Sequence, residues 1–479
     1  MKPNFPYTPF KGDRIKGMDL LADYLWPGDS TGTIMSSMSP AIPPQDWDGD
    51  LADHQERTLP SPPTDFMLFL GDFVYADVPY YFGDNLETYR RLYRRSYQSP
   101  SFRRVYERLR GFQVFPCPLL LIQNPAIFFT YDDHEFVNNY AGSSRDSGPY
   151  LNGSRAFLEY NAQTNFDSPD RNQLYYEFSY SADAAFFVMD TRRHRSTPEV
   201  EAADRSMLGA QQLGTFLRWL SKVRPELMKN LSTSLITQVN STSTFKFIIT
   251  SVPFTSLWTH DAAVDSWAAY SVEKASILDA IATVPNVIIL SGDRHEFALV
   301  ELNHPSPTSH RVLEISTSPL SMYVNAYVHW NTHNQRFRFY IPLVRTLLPS
   351  STGRFSRKSL RSTVQENGDE AVVEFVEQIP HERVLKYLPI GNYKWYVFNL
   401  HKERDSSSHY YTQRSTIEVD SSNPESPIAR LEVVIDGEVS YRHTIKGSSI
   451  PRSTTEVGTF VPLLRDMFLK MGIKPSTWF

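Results

Sequence analysis

Three polar strings each follow an apolar run, and this repeated pattern is the strongest constraint that the sequence places on the fold. They are Leu70–Asp77 (LGDFVYAD), Thr130–Glu135 (TYDDHE) and Ser291–Glu296 (SGDRHE). The apolar runs are continuous rather than alternating, which is typical of strands that are covered on both faces. Each string places an Asp, and two of them a His, where its strand should end. Oxygen and imidazole ligands gathered from separate strand ends could build a metal cluster.

Strand-like runs alternate with helical patterns, which predicts a layered α/β core. The predicted strands are Asp65–Leu70, Ala126–Tyr131, Ala184–Met189, Phe245–Thr250 and Val287–Leu290. The predicted helices are Met18–Trp26, Leu86–Tyr97, Phe102–Leu109, Ala210–Val223 and Trp267–Thr283, and Ser30–Pro63 is predicted to be a loop. We expect the strands to form sheets sandwiched by helices, with the ends that carry the motifs at one rim.

The C-terminal part of the chain has a different pattern, which predicts a β-rich extension over residues 321–479 after a first domain over residues 1–320. Residues 65–300 of that first domain carry the motifs. Antiparallel strands are predicted at Tyr393–Leu400, Ser415–Val419, Ala429–Ile435 and Val439–Ile445, with a hairpin turn at Asp436-Gly437. Loop inserts are predicted near 349–367 and 401–427, and a helix at Val461–Met471.

Composition limits the classes of function. Hydrophobic residues make up 41% of the chain and charged residues 21%, as in a globular protein. A net charge of −5 gives no support for a nucleic-acid partner, and we expect a monomer. The single cysteine, Cys117, excludes a disulfide within the chain and a Cys-rich zinc site. No apolar stretch reaches the roughly 18 residues of a membrane span, and no signal peptide is evident, so the sequence assigns no compartment.

The first two polar strings contain the first candidate ligands. Asp72 directly follows Gly71 at a strand end, where it can approach a metal closely because Gly leaves the backbone uncrowded. The alternative is an Asp that caps the next turn. The string Asp132–Glu135 puts three acids and a His after a buried strand, which is costly unless a positive charge lies nearby. The alternative is a solvated loop. Asn138 could supply a neutral oxygen ligand or cap a helix.

The third string contains two more candidates, Asp293 and His295. They are two residues apart, which on an extended backbone puts both side chains on the same side. A site of this composition prefers Mn, Mg, Ca or Fe over softer metals. Two such ions could deprotonate a bridging water and hold the phosphate oxygens during in-line displacement. Hydrolysis of a phosphate ester is therefore the leading interpretation.

Two further roles follow from that chemistry. His134 would donate a proton to the leaving alkoxide. Arg192 or Arg193 could hold the phosphate bidentately, the alternative being an arginine without a role in the site. A group of arginines allows two interpretations, solvated helix faces or a positive wall that attracts anions. The group consists of Arg90, Arg91, Arg94, Arg95, Arg103, Arg104, Arg108 and Arg110.

The motifs together resemble the alkaline phosphatase D (PhoD-like) family of metallo-dependent phosphatases, as a fungal-type member. The resemblance covers about residues 1–320. It is carried by Gly71–Tyr75, Glu87–Arg90, Tyr131–Tyr140, Asp190–Arg192 and Ser291–His295.

The resemblance implies a four-layer α/β/β/α sandwich and a multinuclear site of iron with calcium. Asp72 would bridge metals, and Tyr89 would be a tyrosine ligand on iron, with Tyr75 as a weaker candidate. His134 would be the acid and Arg192 a phosphate contact. The remaining implied ligands are Asp133, Asn138, Asp293 and His295.

One departure from the family pattern concerns the start of the chain. Family members begin with a strand that ends in Gly-Ser-Cys, whose Cys binds a metal, whereas Met1–Tyr7 resembles the segment after that Cys. The resemblance therefore predicts that the first strand and one ligand are missing from this sequence. An alternative function is a non-catalytic remnant of the same fold that acts as a binding module, and another is a carbohydrate- or protein-binding module built on the C-terminal strands.

Overall fold

The computed structural model describes parts of the chain from residue 14 to residue 449. The described ranges are 14–26, 64, 66–77, 81, 83–109, 127–180, 183–222, 243–257, 264–317, 361–366, 369–374, 378–379, 382–388, 394–395, 398–400, 417–420 and 425–449. For the strands at 361–379 and at 394–420 it describes the backbone alone. Several predicted features lie outside these ranges, namely residues 1–13, Ser30–Pro63, Cys117 and Val461–Met471.

Five of the six helices in the described ranges lie close to a predicted helix. The six are α1 (Lys16–Leu25), α2 (Leu86–Gln98), α3 (Pro100–Tyr106), α4 (Tyr150–Tyr160), α5 (Gly209–Lys222) and α6 (Ser271–Ile281), and a 3-10 turn at Trp267–Tyr270 precedes α6. The sequence did not predict α4. None of the helices among the described residues is both long and apolar enough to cross a membrane.

The five predicted strands are present within one or two residues of their predicted bounds. The strands in the first part of the chain are β1 (Met67–Leu70), β2 (Ile127–Thr130), β3 (Tyr176–Tyr180), β4 (Ala184–Val188), β5 (Phe245–Thr250), β6 (Val287–Ser291), β7 (Phe297–Leu302) and β8 (Val312–Ser316). β1 and β2 pair in parallel. β4, β5, β6 and β8 form the parallel centre of a second, eight-stranded sheet. Parallel pairing brings the polar strand ends to the same edge of each sheet.

The C-terminal strands are β9 (Arg361–Glu366), β10 (Asp369–Glu374), β11 (Gln378–Ile379), β12 (Glu382–Leu388), β13 (Lys394–Trp395), β14 (Phe398–Leu400), β15 (Ile417–Asp420), β16 (Ile428–Ile435) and β17 (Glu438–Lys446). β9 corrects the predicted insert near 349–367, because the end of that segment pairs with β10 instead of forming a loop. β14 and β15 are parallel, so the prediction of antiparallel pairing is wrong for them.

The hairpin between β16 and β17 forms as predicted. Its two turn residues, Asp436 and Gly437, have φ angles of 54° and 93°. Two successive positive φ angles match the right-handed twist of the flanking strands, and Asp and Gly accept them at low cost.

Aromatic side chains pack on both faces of β4. Phe187 packs in a hydrophobic core with Phe216 and Trp219 of α5. Its neighbour Phe186 points to the opposite face, into a core that also contains Phe128 of β2 and Leu431 of β16. The eight-stranded sheet is therefore covered by helices on one face and by strands on the other.

The β1–β2 pair is also covered on both faces. Phe129 of β2 points away from Phe128, into a third core with Tyr93 of α2, Phe102 of α3 and Phe157 of α4. Continuous apolarity in the sequence of β2 thus reflects burial on both sides, as predicted for this strand.

The C-terminal extension shares these cores. β12 pairs antiparallel with β7 and so belongs to the eight-stranded sheet. Val434 of β16 packs in the core of α1 to α4, and Leu431 in the core between the sheets. The predicted division after residue 320 therefore does not separate two cores within the described ranges.

Four of the eight arginines in the group pair with acids. Arg90 forms a bidentate salt bridge with Glu159, with both hydrogen bonds at 2.7 Å. Arg104 donates to Asp19 at 3.1 Å and to Asp23 at 2.6 Å. Similar pairs join Arg94 to Glu87 and Arg103 to Glu107. These pairs favour the interpretation as solvated helix faces over a positive wall, while Arg110 lies outside the described ranges.

Lys246 on β5 is a buried cation, and we predict that replacing it with an apolar residue stabilises the protein. Burial lowers the pKa of Lys246 from 10.5 to about 7, and its ammonium donates to the carbonyl of Thr244 at 3.4 Å. Between those two pH values the unfolded chain binds a proton that the folded chain does not, so the stability contributed at this position rises with pH. Lys246→Met should therefore raise the free energy of unfolding by about 2 kcal/mol at pH 7, and by less near pH 10.

Urea denaturation at the two pH values measures this difference. The control is Lys274→Met, which removes the partner of the buried Glu382 and should destabilise the protein. A gain for Lys246→Met that is equal at both pH values would contradict the account.

Candidate metal centre

The buried carboxylate of Glu135 joins the ends of β1 and β2. It accepts backbone N–H bonds from Asp72 at 3.0 Å, Phe73 at 2.6 Å, Val74 at 3.2 Å and Asp132 at 2.8 Å. Burial, together with the charge of Asp72, raises the pKa of Glu135 to about 8, although the backbone bonds act in the opposite direction. These four bonds fix the first two polar strings against each other.

Two glycines allow the strand ends to approach closely. Gly71 has a φ of 101°, and a Cβ built there would lie 2.5 Å from the Cβ of Asp132. A Cβ on Gly292 would lie 3.1 Å from the carbonyl oxygens of both Leu70 and Ser251. The ends of β1, β2, β5 and β6 thus meet at one place, and side chains at both positions would force them apart.

Four carboxylates meet where these strand ends converge, and we call them the carboxylate cluster. Within the described ranges, one ligand oxygen from each lies within 4.8 Å of the others, and the four residues are Asp72, Asp132, Asp133 and Asp293. His134 forms a second group, of three residues, with Asp72 and Asp133, whose ligand atoms also lie within 4.8 Å of one another. Asp72 and Asp293 hold left-handed backbone conformations, with φ of 56° and 68°. Such conformations cost energy in non-Gly residues and are typical of functional sites.

The electrostatics of the cluster favour a cation. Burial raises the pKa of Asp132 to about 7 against the lowering effect of Arg192, and Asp133 and Asp72 add to the rise. Burial also raises the pKa of Asp293 well above its ordinary value, with repulsion from Asp265 and Asp132. Carboxylates brought together in this way are stable as anions only near positive charge.

His134 lies beside the cluster in a fixed orientation. Its Nδ1 is 2.8 Å from Oδ1 of Asp77, and its ring stacks on Tyr75 with centroids 4.2 Å apart. Burial lowers the pKa of His134, but Asp133, Asp72 and Asp77 outweigh it and raise the pKa to about 10. The hydroxyl of Tyr75 donates to Asp72 at 2.9 Å, so this tyrosine contacts the cluster.

Arg192 is fully buried and bonded to protein groups, and its role as a phosphate contact stays a prediction. Its Nε donates to Asp132 at 2.6 Å, and its two terminal nitrogens bond Asp265 at 2.7 and 3.0 Å. A further bond reaches the carbonyl of Tyr140 at 3.3 Å. With its donors directed at these groups, Arg192 holds Asp132 in place. Arg193 forms a comparable fork with Asp146 at 2.9 and 2.6 Å.

Three predicted ligands do not belong to either group of possible metal ligands found within the described ranges. Asn138 has an exposed side chain, and its backbone N–H donates to Asp77 at 2.7 Å. The hydroxyl of the buried Tyr89 lies 3.3 Å from that of Tyr81, and burial raises its pKa. His295, with a φ of 58°, belongs to neither of the two groups found within the described ranges. Their assignment as ligands stays a prediction.

The sequence did not single out several residues that shape the site. Asp132 was visible in the Asp-Asp-His-Glu string, and Asp77 ends the first string, but neither was assigned a role. The hydroxyl of Ser251 donates to Oδ1 of Asp132 at 2.6 Å. Asp265 bonds Arg192 from 73 residues further along the chain. Neither Ser251 nor Asp265 follows a recognisable motif, so only the fold reveals them.

The Gly71 contact with Asp132 gives a testable prediction. Gly71→Ala should lower the free energy of unfolding by about 1–3 kcal/mol and weaken Mn²⁺ binding about tenfold, because the new Cβ displaces Asp132. Gly83→Ala is the matched control, since Gly83 also has a positive φ of 92° but nothing lies within 4 Å of its Cβ. Calorimetric titration with Mn²⁺ and urea denaturation measure both effects. Equal losses for the two variants would show that backbone strain alone is responsible.

Comparison with a curated protein finds a partial likeness. The chain is 27% identical over 195 residues to alkaline phosphatase D of Bacillus subtilis (strain 168). That alignment covers 35% of this chain and 30% of the relative, so the chain matches about a third of the length of this relative.

Two further comparisons concern a solved structure and a family model. A solved structure described as the structure of PhoD is 19% identical, covers 53% of this chain and 51% of its own, and has a TM-score of 0.37. The family model of the PhoD-like phosphatases matches residues 49–339, which is more than half of the chain and includes all three polar strings. This chain belongs to the PhoD-like phosphatase family.

Proposed function

We propose that this protein hydrolyses phosphate mono- or diesters with a metal-activated water. One observation carries the proposal: the ends of three strands bring the carboxylate cluster within 4.8 Å, with His134 beside it. Membership of a phosphatase family supports a phosphate ester as the substrate. We propose that the protein acts as a monomer.

The residues of the cluster fit bound metal ions. Oδ2 of Asp132 and Oδ2 of Asp293 are shielded from solvent without a hydrogen-bond partner, which leaves them available as ligands. An all-oxygen carboxylate donor set suits hard cations. Asp72, Asp132, Asp133 and Asp293 would hold iron together with calcium, with manganese or magnesium as alternatives. When bound, such ions lower the pKa of a coordinated water and neutralise the phosphate oxygens.

His134 is positioned to act as the general acid. Its Nδ1 bonds Asp77, which fixes the ring and leaves Nε2 as the nitrogen that can donate. Stacking on Tyr75 restricts rotation of the ring further. The protonated form is favoured by the surrounding carboxylates, so a proton is available for the leaving oxygen.

We propose an orienting role for Arg192 and ligand roles for three further residues. Arg192 orients Asp132 and offsets part of the negative charge of the cluster. We retain Tyr89, Asn138 and His295 as proposed ligands because the family resemblance implies them.

We also propose that the fold is a four-layer α/β/β/α sandwich in which residues 321–479 extend the catalytic unit. The opposite directions of Phe186 and Phe187 on β4, and of Phe128 and Phe129 on β2, support two sheets with helices outside both.

Hydrolysis assays test the function directly. The protein, loaded in turn with Fe, Ca²⁺, Mn²⁺ or Mg²⁺, should release nitrophenol from 4-nitrophenyl phosphate or from bis(4-nitrophenyl) phosphate, and chelation should abolish the activity. Asp133→Asn should lower both metal content and turnover by at least tenfold. Metal binding without hydrolysis of any ester would favour a non-catalytic remnant that acts as a binding module.

His134→Ala should separate acid catalysis from metal binding. We expect turnover on alkyl phosphate esters to fall about 10²–10⁴-fold while metal content stays nearly constant. The loss should be smaller for nitrophenyl esters, because nitrophenolate leaves without protonation. His304→Ala, which changes a histidine bonded to Asp279 at 2.9 Å on the surface, is the control. Equal losses on both ester types together with lost metal would instead make His134 a ligand.

A further inference from the structure

A buried glutamate of β12 contacts the segment that follows β5. Glu382 lies outside the region that the family model matches, and its side chain is 7% exposed. Its carboxylate accepts from the hydroxyl of Thr255 at 2.6 Å, from the N–H of Ser256 at 2.8 Å and from the ammonium of Lys274 at 2.6 Å. We call residues 250–257, which contain two of these three donors, the β5 corner.

The β5 corner reaches the carboxylate cluster through Ser251. The hydroxyl of Ser251 donates to Asp132 at 2.6 Å, and its carbonyl accepts the N–H of Gly292 at 3.2 Å. Gly292 directly precedes Asp293. Ser251 therefore bonds the side chain of one member of the cluster, Asp132, and the backbone next to another, Asp293.

The β5 corner also positions Asp265. The backbone N–H of Trp267 donates to Pro253 at 3.1 Å, and its indole N–H donates to Thr250 at 3.1 Å. Asp265, two residues before Trp267, forms the fork with Arg192. The corner therefore supports Asp132 both directly and through the Asp265–Arg192 pair.

A second buried carboxylate, Glu314 of β8, completes the attachment. It accepts the N–H groups of Phe254 at 2.8 Å and Thr255 at 2.5 Å, and the hydroxyl of Ser291 at 2.7 Å. Glu314 thus joins the corner to the strand end that carries Asp293. Glu382 bonds the same corner at Thr255 and Ser256, and it also bonds Lys274.

We propose that Glu382 is a positioning residue for the metal centre, because its carboxylate holds the β5 corner in the position from which Ser251 and Asp265 orient Asp132 and Arg192. This inference rests on the proposed function. It makes β12, a strand from beyond the family-model region, part of the machinery that arranges the metal ligands. Buried partners that orient metal ligands affect metal affinity about 10–100-fold when they are removed.

Glu382→Gln tests the proposal, since it keeps the shape of the side chain and removes the charge opposite Lys274. We expect Mn²⁺ affinity and kcat on bis(4-nitrophenyl) phosphate each to fall about tenfold, with KM within about twofold of the unaltered protein. Glu382→Asp should recover part of both losses. Arg383→Ala is the matched control, because Arg383 is the next residue on β12 and its side chain is 70% exposed.

Hydrogen–deuterium exchange makes the result independent of catalysis. In Glu382→Gln, the peptides that cover the β5 corner and residues 132–135 should both exchange faster, whether or not the unaltered protein hydrolyses esters. If Glu382→Gln fails to fold, Thr255→Val removes one bond to Glu382 at nearly constant volume and should give the same pattern in smaller degree.

The outcomes separate the two proposals. An unaltered protein without hydrolase activity overturns the proposed function alone, while the exchange data still decide on Glu382. A lower melting temperature with unchanged exchange at residues 132–135 and unchanged Mn²⁺ affinity overturns the positioning role, because Glu382 would then be merely structural.

Discussion

The four backbone bonds to Glu135 are the interaction on which the site depends. Glu135 sits three residues after Asp132 and accepts from N–H groups at the ends of both β1 and β2. Without an acceptor there, the left-handed conformation of Asp72 would leave buried N–H groups unpaired, at a cost of about 1–3 kcal/mol each. Glu135, the last acid of the Asp-Asp-His-Glu string, is thus the residue that fixes the two strand ends that carry the candidate ligands.

The sequence predicted the parts of the fold that depend on local pattern. Continuous apolar runs predicted strands buried on both faces, and the Asp-Gly pair predicted the β16–β17 turn, because period and φ preference are properties of short segments. The partners of those segments were not predictable in the same way. β12 joins the sheet beside β7 although about eighty residues separate them in the chain, and nothing in the residues of β12 indicates that neighbour.

The candidate site shows the same limit. Asp72, Asp133 and His134 were predictable because they stand next to strand ends, where the rule on parallel sheets applies. Arg192 also follows a strand end, β4, yet the fold surrounds it with Asp132 and Asp265. A sequence motif reports which residues are near a rim, whereas the partners that bury a side chain come from distant segments. The motif therefore indicated that Arg192 lies near the site, but it did not indicate the bonds to Asp132 and Asp265.

The balance of buried charge at this arrangement favours a cation. The cluster brings four carboxylates together, and Glu135 and Asp265 are buried next to it. The nearby cations are Arg192, Arg195 and the protonated His134. Without an ion, burial raises the pKa of Asp132 to about 7 and that of Asp293 well above its ordinary value, so the cluster retains protons near neutral pH. Ions and protons then compete for the same oxygens, and metal affinity falls as pH falls. Under the proposed function, bound metal would offset this negative charge, which connects the folding cost of the cluster to the chemistry that it is proposed to perform.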